Sequence, residues 1–267
     1  MELTDSTFNL FRQWMKAQTG VHLSEIKKTL VFQRLMRRLN DRKLDSFEAY
    51  YRLIHQPVEE HERQLAIDAL TTHETYFFRE PKHFEWLKDF LRDKQRPGGL
   101  VRVWSAAAST GEEVWSIAML LADCLGIDGL WQLMGSDISQ PVLDKAKTGH
   151  YVMQRCEGIP LSYLKKYCLK GQGSQMSTML LVRELRQRVS FQVVNLNEEL
   201  PGFAPMDVIF LRNVLIYFDA NTKKAVVRRC VERLMTGGFL IVSHSESLND
   251  VNEGLVLVQA GVYQKVA

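Results

Sequence analysis

Apolar positions recur at helical spacing through the first third of the chain. Phe8, Phe11, Trp14 and Met15 fall on one helical face, and Val31, Phe32, Leu35, Met36 and Leu39 on another. Ser24, just before Glu25 and the second run, is placed to cap a helix start. Two more amphipathic stretches follow at about 46–55 and 58–70, broken by Pro57. Residues 1–80 therefore read as a small all-α domain. Residues 81–99 read as a linker region, closed by Arg96-Pro97-Gly98-Gly99, where a proline and two glycines end any helix.

From residue 100 the period changes. Short apolar runs at Leu100–Ser105, Trp131–Gly135, Phe191–Asn195, Asp207–Leu211 and Phe239–Ser243 predict strands. Helices are expected from Gly111 to about Cys124, at 139–148, and at about 221–235, the last stopping at Gly237-Gly238. Leu255–Val266 supplies one or two closing strands. Strands alternating with helices over 100–267 predict an α/β fold, a parallel-rich sheet wound on both faces. Residues 157–190 interrupt that alternation with a Gly- and Ser-rich turn, Gly171-Gln-Gly-Ser174, and a β-compatible stretch; they read as an inserted helix and a small antiparallel subdomain.

Composition narrows the function. Thirty-four Lys and Arg against 31 Asp and Glu leave a net charge of +3, too balanced for a surface that grips nucleic acid throughout. No apolar run approaches the roughly 18–20 residues of a membrane span. The start, Met1-Glu-Leu-Thr-Asp5, lacks the basic and apolar regions of a signal peptide, so a cytoplasmic location is expected. Cys124, Cys156, Cys168 and Cys230 lie 32, 12 and 62 residues apart, without zinc-ligand spacing, and read as reduced thiols.

Ligands of doubly wound sheets sit at the carboxyl ends of the strands, near the topological switch. The first such end reads Ser105-Ala-Ala-Ala-Ser-Thr-Gly-Glu-Glu113. Small residues let a ligand approach the backbone, and the helix that follows offers its first amides. Neither dinucleotide nor P-loop glycine spacing is present, and two glutamates where a pyrophosphate would rest disfavour NAD, FAD and nucleoside triphosphates. A ligand with a cationic amino-acid end suits them better; a purely structural β–α turn is the alternative. Asp137 ends the second strand, where an acid can accept from both ribose hydroxyls or cap the next helix. Asn195 can bond a base edge or close a turn.

Five segments in order carry a closer resemblance: Thr71-Thr-His-Glu-Thr-Tyr-Phe-Phe-Arg-Glu80, Val103–Glu113, Ser136-Asp-Ile138, Leu211-Arg-Asn-Val-Leu-Ile-Tyr-Phe-Asp219 and Gly237–Ser247. Together they resemble the signature blocks of the chemotaxis receptor glutamate O-methyltransferases, the CheR family. The resemblance implies a Rossmann-like S-adenosylmethionine-dependent methyltransferase domain with a small inserted antiparallel β-subdomain, preceded by an N-terminal all-α domain. The implied activity is methyl transfer from S-adenosylmethionine to glutamate side chains of chemoreceptors, with S-adenosylhomocysteine as product. Carried over by motif, His73, Thr75, Arg79, Glu113, Asp137, Asn195, Leu196, Arg212 and Asn213 would contact the cofactor. Glu113 would hold its amino end and Asp137 the ribose; Asn195, Leu196, Arg212 and Asn213 would line the adenine side. Arg79 and Tyr217 would sit nearest the transferred methyl and act in catalysis. The family usually has Asn where this chain has His73. The imidazole either fills the same volume or adds a pH dependence near its ordinary pKa of about 6.5. No metal is implied.

The implied partner is the cytoplasmic helical bundle of a chemoreceptor. Lys27–Lys43 holds seven basic residues and one acidic one, Asp41, so Lys27, Arg34, Arg37 and Arg38 are candidate docking residues for an acidic helical surface. In some members of the family the β-subdomain takes up a receptor's C-terminal tether, and residues 157–190, with Arg183, Arg186 and Arg188, are the matching surface. The rivals are a silent receptor adaptor and a nucleic-acid module. The Asn/Asp-Pro-Pro-aromatic and Pro-Cys signatures of nucleobase methylases are missing, since Arg212-Asn-Val-Leu-Ile216 stands at the first position and no cysteine follows a proline.

Overall fold

In the computed structural model, residues 1–93, 99–251 and 254–266 are described. Contacts divide the chain into two units, Met1–Thr72 with Tyr217–Lys223, and His73–Ile216 with Lys224–Ala267. Arg96, Pro97 and Gly98 of the expected linker lie outside the described residues.

The first unit is helical: α1 (Asp5–Thr19), α2 (Lys28–Asp41), α3 (Phe47–Ile54) and α4 (Glu60–Leu70). Thr4 and Ser46 cap α1 and α3 by accepting from Thr7 N and Ala49 N. The apolar faces read from the sequence meet in one core, with Phe11, Met15, Val31, Leu35, Leu39, Phe47, Tyr50 and Ile54 fully buried. Residues 217–223 belong to this unit; Val21 bridges to Phe218, and Lys16 pairs with Asp219 at 2.6 Å.

Residues 81–93, expected to be linker, instead form α5 (Pro81–Asp93), which packs on α6 (Glu112–Leu125). Pro81 starts the helix, where its missing N–H costs nothing. Phe84, Leu87 and Leu91, at helical spacing, are buried in the core of the second unit. That unit therefore takes in residues expected to be linker, well before residue 100, and by contacts it begins at His73, inside the expected 1–80 domain.

Its main sheet contains β1 (Val101–Ser105), β2 (Trp131–Asp137), β6 (Val189–Val193), β7 (Met206–Phe210), β8 (Leu234–Ile241), β9 (Leu255–Gln259) and β10 (Val262–Lys265). Their order is β6-β2-β1-β7-β8-β10-β9. The first five strands run parallel and β10 pairs antiparallel with β8. Helices α7 (Gln140–Thr148) and α10 (Ala220–Glu232) complete the alternation. The order reverses about β1, and that reversal opens a crevice at the strands' carboxyl ends.

Two expectations need correction. Gly237 and Gly238 do not end a helix; they lie within β8, Gly237 at φ +79°, beside an irregularity in its pairing with β7. A bulge of this kind needs a residue tolerant of positive φ, which glycine is. The inserted subdomain also begins earlier than residue 157. Its sheet is β3 (His150–Val152), β5 (Thr178–Leu181) and β4 (Cys168–Lys170), in that order, with α8 (Leu161–Tyr167) and the short α9 (Arg183–Arg186). Residues 189–190, at the expected end of the insert, already belong to β6. Among the described residues no helix is long and apolar enough to cross a membrane, and all four cysteines are free thiols.

Candidate functional site

The loop after β1 is shaped by its own backbone. Ala106 N donates to Phe210 O and Ala108 N to Ser136 O, each at 2.8 Å, which ties the loop to both flanking strands. Gly111 then turns at φ +95°, and a Cβ there would lie 2.7 Å from the Ala146 Cβ, so only glycine fits. The two glutamates that follow part company, because successive helical positions face about 100° apart. Glu112 is fully buried and pairs with Arg155 at 2.6 Å. Glu113 turns to the crevice, keeps 12% side-chain exposure, and accepts from Ser105 Oγ and Arg212 Nη1, both at 2.8 Å.

Asp137, at the tip of β2, is the second acid of the crevice. Its Oδ2 accepts from Ser109 N at 2.9 Å and its Oδ1 from Ser139 N at 3.1 Å. Ser139, not Asp137, occupies the N-cap position of α7. Burial raises the Asp137 carboxyl above the ordinary range; His73 and the backbone amides pull the other way. His73 is also tied to the loop through its carbonyl, which accepts from Ser109 Oγ at 2.9 Å. The Thr75 carbonyl accepts from Arg155 Nη2 at 3.1 Å. Asn195 and Leu196 follow β6. The Asn195 amide donates to Glu198 at 2.9 Å and its oxygen accepts from Asn197 N at 3.0 Å, while Leu196 is buried.

Arg212, expected on the adenine side, is held by groups of the protein itself. Its side chain is 1% exposed and joins two carboxylates, Glu113 at 2.8 Å and Glu80 at 3.4 Å, while Nη2 donates to the Arg79 carbonyl at 2.5 Å. It lies across the ring of Phe84. Arg212 is thus the internal counter-charge of Glu113. Asn213 sits at φ +57°, its N–H donating to Glu246 Oε2 at 2.9 Å. Glu246 also accepts from Ser243 N and Ile216 N, at 2.9 and 3.3 Å, so one buried carboxylate joins the turns after β7 and β8. Burial raises its pKa. The Arg79 guanidinium folds back on its own segment, donating to Glu74 O at 3.2 Å and lying over the Tyr76 ring. Burial, reinforced by Arg212, depresses the His83 ring to about 4.

The structure thus joins Glu113, Arg212 and the backbone of Arg79 in one network, extended through Glu80, Ser243 and Glu246 to Asn213, and ties Asp137 to the backbone of His73 through Ser109 in a second. Sequence reasoning gave no role to Ser105, Glu80, Arg155 or Glu246. All but Arg155 lie within the quoted segments.

Tyr217 belongs to the helical unit, where its carbonyl accepts from His22 N at 2.7 Å. The basic helix does not present a uniform face. Lys27 and Arg37 are exposed. Arg38 forks onto the buried Glu62 at 2.9 and 2.7 Å, and Arg34 donates to Thr71 O at 2.8 Å. Arg188, expected on a peptide-docking surface, donates to the carbonyls of Gly129 and Trp131 at 2.9 and 2.8 Å and covers the Trp131 ring. Arg186 donates to Leu181 O at 3.1 Å, leaving Arg183 as the exposed member of that trio.

Two family models match the chain. Residues 6–71 match the CheR methyltransferase all-alpha domain, and residues 73–263 match the CheR methyltransferase SAM binding domain. The chain is 40% identical to a chemotaxis protein methyltransferase of Salmonella typhimurium, over 94% of this chain and 87% of that protein. It is 39% identical to that of Escherichia coli, over 98% and 92%. It is 41% identical to chemotaxis protein methyltransferase 2 of Pseudomonas aeruginosa, over 91% and 87%.

Proposed function

The chain belongs to the CheR methyltransferase family, and on that footing we propose that it esterifies glutamate side chains of chemoreceptors, with S-adenosylmethionine as methyl donor. The observation that carries this reading is the pair of acids, Glu113 on the first turn of α6, bonded to the last residue of β1, and Asp137 at the tip of the adjacent β2, in a crevice built by small residues. The donor set suits the ligand. Glu113 offers a carboxylate to an α-ammonium, and the lone pairs that Asp137 has left over from Ser109 and Ser139 can take ribose hydroxyls. Asn195 and Leu196 flank the adenine side. Arg212 pairs with Glu113 and fixes it in place.

S-adenosylmethionine supplies a methyl carbon already activated by its sulfonium: the acceptor oxygen forms the new C–O bond as the C–S bond breaks, its electron pair leaving on the thioether. A glutamate acceptor, with an ordinary pKa of about 4.3, is ionised at neutral pH, so the chain need not remove a proton. What its residues provide is alignment and exclusion of water. Arg79 is the candidate to orient a carboxylate, by swinging from its resting contact on Glu74, and the Tyr217 hydroxyl to steer the nucleophile. The exposed Lys27 and Arg37 are the docking cations for an acidic receptor helix. The edge strands of the three-stranded sheet offer backbone groups to a receptor tether.

Calorimetric titration with S-adenosylhomocysteine tests the site. One-to-one binding is expected, with Asp137→Ala weakening it about 10- to 100-fold through lost bonds to a charged acceptor, while the unfolding midpoint holds. Arg79→Ala and Tyr217→Phe should turn over receptor more slowly at saturating donor. Normal turnover in both removes them from the mechanism, and no binding by folded wild-type protein ends the reading.

A further inference from the structure

We infer that Glu80, His83 and His244 form a binding site for a divalent transition cation of the zinc type, distinct from the acids assigned to the methyl donor. His83 is 0% exposed, and neither of its ring nitrogens has a hydrogen-bond partner of good geometry. Nε2 lies against the backbone at Gly261, where a Cβ would stand 2.7 Å away, while Nδ1 stands 3.4 Å from Glu80 Oε2. With the ring proton on Nε2, the Nδ1 lone pair faces that oxygen. Two acceptors facing each other in a buried place repel unless something positive stands between them.

The third donor is at hand. His244 Nε2 lies 4.0 Å from the same Glu80 oxygen, and the two imidazoles approach with centroids 4.4 Å apart. All the donor atoms lie within 4.8 Å of one another. Tetrahedral zinc at ordinary bond lengths spaces its ligands about 3.3 Å apart. Glu80 and His83 already stand at that separation. The His244 side chain, 38% exposed, has room to rotate inward, and its open side leaves the remaining position to water.

The surroundings orient these ligands as an outer shell does. Ser243 Oγ donates to Glu80 Oε1 at 2.8 Å and His244 N to Oε2 at 3.1 Å. Arg212 also approaches Oε2 at 3.4 Å, but the same guanidinium serves Glu113, and Glu246 adds a third carboxylate to this neighbourhood. The single buried guanidinium does not neutralise all three. A cation here would tie the start of α5 to the turn after β8.

The test uses the full-length protein, stripped with chelator and titrated with Co²⁺. The expected result is one equivalent per chain, a visible ligand-field band of mixed nitrogen and oxygen coordination, its bleaching by Zn²⁺, and a raised unfolding temperature. His244→Ala alters a partly exposed ring and should fold normally while weakening Co²⁺ binding at least about tenfold. His83→Gln should do the same. Absence of one-to-one binding, or binding undiminished in a folded His244→Ala protein, overturns the site and gives the gap at His83 to water.

Discussion

Each unit buries a carboxylate against a guanidinium, and the two clusters are finished differently. In the helical unit, Glu62 is 2% exposed and receives Arg38 through both nitrogens of a fork, the Tyr50 hydroxyl at 2.8 Å, and Arg42 at 3.6 Å. Three hydrogen bonds and one further cation reach it from inside the protein. In the sheet unit, Arg212 is as deeply buried, but its Nε has no partner, and its carboxylate Glu113 still faces solvent on one side. The first cluster is closed and can only hold helices together. The second is left open where a ligand would complete it. Buried charge alone does not mark a functional site; unspent hydrogen-bonding capacity beside it does.

The comparison can be broken most directly at Arg38. Arg38→Met leaves Glu62 buried and largely unpaired, and should cost about 3–5 kcal/mol of stability in urea unfolding, with product affinity unchanged in whatever protein remains folded. A loss under about 1 kcal/mol would mean that the closed cluster is not closed.

Acid titration sharpens the contrast by sign. Arg38 and Tyr50 hold the Glu62 carboxyl below its ordinary range against the cost of burial, so its contribution is present above about pH 4.3 and is lost as pH falls through its lower folded value. Glu246 is shifted upward by burial, so the folded state takes up its proton first and gains stability on mild acidification. Urea unfolding from pH 7 down to about pH 4 should show Glu62→Gln flattening the acid loss and Glu246→Gln steepening it. The same direction of change in both variants would contradict the assignment.

The smallest effect is expected on the exposed face of α2. Arg37→Glu should change stability by less than about 0.5 kcal/mol and leave product affinity alone. It should slow receptor methylation, most at low salt, where a docking charge is least screened. Methylation that is unaffected at low salt removes Arg37 from the docking surface.

Much of this was legible in the chain itself. The strands from Val101 to Ile241 announce themselves as short apolar runs; Asp137 ends one of them and Glu113 opens the helix after another, where the topology collects ligand groups. α5 was hidden by position, lying just before a Pro-Gly-Gly stretch, although Phe84, Leu87 and Leu91 carried its period. β3, at His150–Val152, is too short for any period to show. The working partners of the site were beyond reach for a different reason: Arg212 stands 99 positions from Glu113 and Arg155 43 from Glu112. Nothing local distinguishes an arginine that will be buried from one that will face water, which is also why Arg38 and Arg188 read as surface charges. Only the tertiary contacts settle which charges are spent indoors.

Glu112 and Glu113 are neighbours on one turn of α6, yet they answer to different parts of the second unit. Glu112 is fastened through Arg155 to the segment that follows β3, and Glu113 through Arg212 to the end of β7. The turn is therefore a shared axle. The insert and the end of β7 thus grip that turn from two sides, through two acids adjacent in the chain.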